Sequence, residues 1–453
     1  MATLTKYKQG SIRELLYLAL PLMLSSFSVV SMLFVDRLML AHYSSAALNA
    51  AVNAATFGWA FIFGWMILTT IAEVFVAQYN GANKLDQLGE PVWQMIWLSL
   101  LSTLLFLPMG IWGPEFFYGV SPDKEMHRDY FQWMMLFGPS FALFGALSGF
   151  FVGQGKIMLV TGLALGANLV NALMDMTLIF GIEGYVPSMG VKGAAIATSG
   201  CAVFQVLILF VIFLSRKNRK LCGTGHYAFR PQLFWKCLVV GAPGAIFVVL
   251  ELLGWSTFYS MMSVVGERYI TIAGICQSVT IFLYFFGEGM NKAVATIAAN
   301  LIGAKQPQLI PQVVKTGIKL QVFFFLMMAV LLALTVDIVI DQFLPFMTPE
   351  MADSMYDALV VSLIWTLFHL LFEGIRLLYS AVLTASGDTL FLLFAGSTSV
   401  WLFMVLPTYF IVVKGGASVE IATFLWVSYS ILAAFVYYKR FAKGKWRGID
   451  LIS

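Results

Sequence analysis

Residues 153–181 read GQGKIMLVTGLALGANLVNALMDMTLIFG. After Lys156 the run is apolar for more than twenty residues, the length a helix needs to cross the hydrocarbon core of a bilayer. Three polar residues interrupt it. Asn168, Asn171 and Asp175 recur at i, i+3 and i+7, which is one face of a helix. Backbone groups in lipid must be satisfied internally, so a helix is favoured over a strand. A carboxylate and amide oxygens at that spacing can coordinate a hard cation such as sodium, or hold a proton. The competing reading is that the asparagines bond helix to helix, as small polar residues in membranes often do.

The rest of the chain repeats the apolar pattern. Of 453 residues 60% are hydrophobic and 11% charged, against roughly 25% charged in a soluble domain. Twelve spans are predicted, over 14–40, 48–74, 92–113, 131–152, 158–181, 190–214, 235–262, 270–298, 316–340, 355–384, 388–413 and 418–438, by apolar length and by Gly, Pro and charge breaks. The first follows Lys6, Lys8 and Arg13, is too long for a signal-peptide core, and is read as a mature span. Cys201, Cys222, Cys237 and Cys276 show no C-x-x-C spacing, so neither a disulfide framework nor a zinc site is expected. A net charge of +4 does not indicate a nucleic-acid partner. No Walker motif, nucleophile elbow or HExxH is present, and no catalytic activity is expected.

Lys and Arg orient the spans. With both termini in the cytoplasm, that side carries 19 of them, and the opposite side carries six: Arg37, Lys124, Arg128, Lys192, Arg268 and Lys414. This is the asymmetry of the positive-inside rule. The external segment before span 10 is acidic (Asp337, Asp341, Glu350, Asp353, Asp357), in keeping with that orientation. The chain is also doubled. Pro21 in LALPLMLSS and Pro243 in VGAPGAIFV stand 222 positions apart, and so do Gly81-Ala82 and Gly303-Ala304. GQGKIMLVTG after span 4 resembles ASGDTLFLLF after span 10 at an offset of 232. Two halves with an even number of spans share one topology and are related by an axis along the membrane normal. The expected organisation is an N-lobe over 1–215, a basic linker over 216–234 and a C-lobe over 235–453.

Of the acids within the predicted spans, six are candidates for a role: Asp36, Glu73, Asp175, Glu251, Glu288 and Glu373. Each costs roughly 2.5–3.5 kcal/mol on insertion scales and needs a partner or a role. Glu288 precedes Lys292 by four residues and Glu373 precedes Arg376 by three, spacings that allow mutual neutralisation. Asp36, Asp175 and Glu251 have no such base and are read as functional. Trp365, His369, Glu373 and Arg376 form a second stripe, in which His369 is read as a hydrogen-bonded packing residue rather than a proton relay. Glu73 is read as snorkelling to the membrane interface. Trp255, Phe258, Met261 and Met262 near Glu251 suit an adaptable apolar pocket and ordinary helix packing equally.

Taken together, the segments ALPLMLSSFSVVSMLFVDRLMLAHYSSAALNAA, AQYNGANK, GQGKIMLVTGLALGANLVNALMDMTLIFG, MGVKGAAIATSG and GEGMNKAVATIAANLIGAKQ resemble the MATE (multidrug and toxic compound extrusion) family, and its prokaryotic NorM-like branch in particular. The resemblance implies two six-helix lobes facing across a central cavity, and export of small amphipathic cationic or aromatic drugs in exchange for sodium or protons. It implies a multi-pass inner-membrane monomer with no cofactor. The family's N-lobe cation site maps onto Asp36, Asn171, Asp175 and Thr198, and its C-lobe acids onto Glu251 and Glu373. Two departures stand out: Arg37 follows the first acid where Thr is common, and Arg376 can occupy Glu373. Within the superfamily the alternative is a lipid-linked oligosaccharide flippase, which would prefer cationic residues lining the cavity; only Lys292 and Arg376 lie well inside spans. A membrane-embedded transferase or sensor would need a catalytic constellation or a soluble domain, and the hydrophilic segment from Arg216 to Arg230 is too short for one.

Overall fold

The structure is a computed structural model that describes residues 4–119, 124–341, 349–449 and 451–452. Among them are twelve helices long and apolar enough to cross a membrane. We number them α1 Ile12–Tyr43, α2 Ser45–Gly81, α3 Leu85–Tyr118, α4 Lys124–Val152, α5 Ile157–Ile179, α6 Val191–Phe213, α7 Pro231–Val265, α8 Glu267–Gly303, α9 Pro307–Val336, α10 Met355–Ser386, α11 Thr389–Lys414 and α12 Val419–Ala442. Each predicted span overlaps one of these helices, with ends off by a few residues, and several helices run further than apolar length alone indicates. α2 continues from 74 to Gly81 and α8 from 298 to Gly303, because their polar ends, among them Gln78 and Asn300, are buried against the opposite lobe and not in lipid. A short helix, Arg216–Cys222, occupies the start of the basic linker, and α7 begins at Pro231, four residues before its predicted start. Of the acidic segment before α10, the side chains of Asp337, Asp341, Glu350 and Asp353 lie outside the described residues; Asp357 is exposed.

The repeat is visible at the level of single residues. Asn83 and Lys305, 222 positions apart, are the two non-glycine residues with positive φ (60° and 57°) among those described. Each ends a helix with a left-handed residue before a single 3₁₀ turn, Leu85–Gln87 in one half and Pro307–Leu309 in the other. α5 begins at Ile157 and α11 at Thr389, the second offset of 232. The halves diverge in α11, which widens into π-helix over Trp401–Val405 and Thr408–Lys414 on either side of Pro407. Proline supplies no N–H to the ladder, so the hydrogen bonds change register around it.

The lobes meet through α1 against α8, α2 against α7, and α2 against α8. This is the pairing that a two-fold axis between the repeats requires. One buried apolar cluster crosses the boundary, joining Leu15, Leu18 and Phe75 to Ala293, Ile297 and Leu301. Two others stay within a lobe, one around Phe106, Phe131 and Met134 and one around Phe258, Met262 and Trp426. The shared cluster lies toward the face that carries the termini. There the backbones interlock: a Cβ on Gly81 would fall 1.9 Å from the Asn300 carbonyl oxygen, and one on Gly303 would fall 1.9 Å from that of Gln78. Gln78 donates to the Ala385 carbonyl (2.7 Å), Thr316 to that of Gly10 (2.9 Å) and Lys84 to that of Ile452 (2.9 Å). At mid-depth Phe27 packs edge-on to Phe282 and Phe285. Beyond that level the cores are separate. The terminal face is therefore sealed, and the cleft between the lobes opens on the opposite face.

Candidate functional site

α1, α5 and α6 build the first group of polar residues. Pro21 lies inside α1, and α5 is stitched alongside: the Thr161 hydroxyl donates to the Pro21 carbonyl (2.9 Å), and Asn168 Nδ2 donates to the Ser28 carbonyl (2.5 Å) and hydroxyl. The Asn168 amide nitrogen is thus spent on joining two helices. One to two turns further on, the same stripe brings Asp175 to Asp36, with Asn171 one turn before it on α5 and Thr198 of α6 completing the group. Asp36 is 6% exposed, Asn171 1%, Asp175 0% and Thr198 2%. Thr198 Oγ1 donates to Asp36 Oδ2 at 3.0 Å. Asp36 Oδ1, both Asp175 oxygens and both polar atoms of the Asn171 amide are buried without a partner. The two carboxyl groups are near enough to act on each other electrostatically, and two carboxylates so placed need a proton or a cation between them.

Five unpartnered polar atoms in one buried spot are costly, since each forfeits about 1–3 kcal/mol of hydration. What they could hold follows from the donor set. Carboxylate, amide and hydroxyl oxygens favour a hard cation or a proton. Among the described residues no three His, Cys, Asp or Glu groups converge as a transition-metal site. Asp36 is about 13 Å along α1 from Phe27 at the helix rise of 1.5 Å per residue, so the group lies in the half opposite the sealed face. Arg37, next in sequence, is exposed, and its charge lies within electrostatic range of Asp36.

The second group is in the C-lobe at mid-depth, on α7, α8, α10 and α12. Arg376 Nε donates to Glu373 Oε2 (2.8 Å) and its Nη2 to Oε1, a fork-to-fork pair. The same Nη2 reaches Glu251 Oε1 at 3.3 Å, where the Tyr429 hydroxyl also donates at 3.3 Å, so Glu251, expected to lack a base, is paired from another helix, which spacing within α7 does not reveal. Glu288 and Lys292 on α8 form an ion pair at 3.3 Å, with 28% and 41% of their side chains exposed. His369 is 2% exposed and bonds the Ser430 hydroxyl (3.3 Å) and the Trp426 carbonyl (3.4 Å), which fixes α10 to α12. Trp365 packs edge-on to Phe424. Trp255 and Phe258 pack edge-on to Trp426, and Met262 is fully buried with them, so these side chains form core around α12.

Glu73 departs from its expected position. It does not snorkel to an interface. It is 7% exposed and accepts a hydrogen bond from Thr296 of the other lobe at 2.6 Å. The partner lies more than 200 residues away in sequence, and the offset of 222 sets Glu73 opposite Ala295, so nothing local signals the contact. Tyr429 was also unmarked, although the Ser-Tyr-Ser run at 428–430 is a polar break in an apolar helix.

Twelve helices in two equivalent lobes, a cleft closed at one face, and buried ionisable groups in each lobe define a multi-pass membrane protein built as membrane carriers are. The MatE family profile matches residues 21–177 and 243–410, and the chain belongs to that family. Among its relatives are the probable multidrug resistance proteins NorM of Photorhabdus laumondii (23% identical, covering 71% of each chain) and of Synechocystis (25% identical, 70% of this chain and 69% of that one). Solved structures of like fold include MATE in the straight conformation (TM-score 0.86, 16% identical, 97% of each chain). Another is the eukaryotic MATE transporter AtDTX14 (0.78, 18% identical, 96% of each).

Proposed function

We propose that the chain is a secondary active multidrug antiporter of the inner membrane, exporting amphipathic organic cations in exchange for sodium ions or protons by alternating access. It acts as a monomer with both termini in the cytoplasm. The orientation rests on the 19-to-6 division of Lys and Arg, and drug export on membership of the MatE family and its relatives named for multidrug resistance. The observation that carries the ion coupling is the buried pair Asp36 and Asp175, with most of their oxygens unpartnered. In this orientation the pair lies in the outer half, within reach of an ion arriving from outside.

The mechanism follows from the groups present. An ion or proton arriving from outside neutralises the Asp36–Asp175 pair with help from Asn171 and Thr198. α1 carries Asp36 near one end and packs against α8 of the other lobe near the other, so a change of charge at Asp36 is transmitted to the lobe interface. Drug held by carboxylates in the cleft, Glu251 first among them, is released outward. The lobes then rock to break the seal formed by Gly81, Gly303 and Glu73–Thr296 and open inward.

Ethidium transport in everted vesicles tests this reading with Asp36→Asn and Glu251→Gln. Both variants are expected to lose gradient-driven transport. Wild-type rates in both, under a sodium or a proton gradient, would refute the mechanism.

A further inference from the structure

Arg376 is a base at the centre of a site expected to take cations. Its side chain is 2% exposed, and its guanidinium lies over the rings of Phe247 and Tyr437 at 5.7 and 5.5 Å. Its bonds to the two carboxylates are unequal. Glu373 receives two donors in a fork, the strong arrangement for arginine and carboxylate. Glu251 receives one long bond, from an Nη2 already engaged with Glu373. The acids differ in access as well: the Glu251 side chain is 19% exposed and that of Glu373 7%. Both donors to Glu251, Arg376 and Tyr429, converge on Oε1. Oε2 has no protein donor among the described residues, and it is not among the buried unpartnered atoms. Glu251 therefore keeps one accessible oxygen and a weakly held one.

We propose that Arg376 is a tethered cation: it fills the C-lobe carboxylate site in place of an exchangeable ion, and an organic cation entering the cleft takes Glu251 from it. This deepens the antiport reading and rests on it. Arg376 then stays with Glu373, so the displaced charge is never left unpaired, which would be the costly outcome for a buried ion. A small inorganic ion gains little from the same exchange, because it must give up its hydration to replace a contact already made. A large apolar cation is weakly hydrated and brings burial of its own surface. Arg376 thus sets which cations the C-lobe accepts, and ion coupling falls to the N-lobe group.

The test is binding of tetraphenylphosphonium to the purified full chain by equilibrium dialysis, in potassium chloride or in N-methylglucamine chloride at equal ionic strength. The wild type should bind with the same affinity in both. Arg376→Gln removes the internal competitor and should tighten binding in N-methylglucamine by about tenfold, the low end for a close charge pair. Potassium should reverse that gain by entering the vacated site, and Arg376→Lys should behave as wild type. Glu373→Gln/Arg376→Gln removes the pair as a neutral unit and should show the same tightening, which covers a single variant that fails to fold. Unchanged or weaker binding in both variants, with no potassium effect, overturns the proposal, and so does loss of folding in both. If the wild type binds no tetraphenylphosphonium, or Glu251→Gln binds it as well as wild type, the antiport reading falls first.

Discussion

Adding one methyl group to the lobe seal, as Gly303→Ala, should drive the protein out of the conformation described here. A Cβ at Gly303 falls 1.9 Å from the Gln78 carbonyl oxygen, 2.6 Å from its carbon and 2.8 Å from its Cα, all backbone atoms that cannot rotate aside. Ordinary contact begins near 3.4 Å, so the end of α8 must retreat by about 1.5 Å. Overpacking of that kind costs about 1–3 kcal/mol. The cost applies only while the lobes are closed on this face, so it shifts the balance between closed and open by about 5- to 150-fold. Spin labels at Tyr185→Cys and Val264→Cys, both on highly exposed residues at the opposite face, report the cleft width by pulsed dipolar spectroscopy. The four native cysteines are buried and free. The distance between labels should shorten in Gly303→Ala as the far side of the cleft closes. Gly274→Ala on the same helix, where a Cβ meets nothing within 4 Å, should leave it unchanged. An unaltered distance in Gly303→Ala would refute the interlocked seal.

Further outcomes follow from single contacts. Thr198→Val removes the hydroxyl donor to Asp36 at nearly constant volume; a hydrogen bond to a charged group is worth about 1.5–3 kcal/mol, so gradient-driven ethidium transport should fall about tenfold or more. Trp446→Ala empties a fully buried site stacked on Phe441 and should cost about 3–5 kcal/mol, read as a lowered thermal midpoint in detergent. Cys222, outside the spans, has its thiol pushed above the ordinary range by burial. The reactive thiolate is therefore scarce near neutral pH, and maleimide labelling should run several-fold slower than for free cysteine and accelerate as pH rises.

The architecture was legible because lipid imposes it. Twelve apolar runs, the Lys and Arg asymmetry and the offset of 222 each follow from the chain's need to satisfy its backbone in hydrocarbon and to duplicate one topology. Helix ends were less legible. Gln78 and Asn300 look like the polar limit of a span, yet they are buried in the lobe interface. On α5 the 3.6-residue period marks Asn168, Asn171 and Asp175 as one face, but periodicity cannot assign their partners. Only packing shows Asn168 turned to Ser28 and Asp175 turned to Asp36. Glu73 shows the same limit, since its partner Thr296 is 223 residues away.

The central claim is that a cation or proton taken up between Asp36 and Asp175 releases the drug. Release of bound tetraphenylphosphonium from the purified chain, on adding sodium or on acidification, tests it most directly when wild type is compared with Asp175→Asn. The wild type should release the probe in response to one of the two ions, and Asp175→Asn should retain it under the same change. Equal release from both would mean that the coupling ion acts somewhere other than this pair.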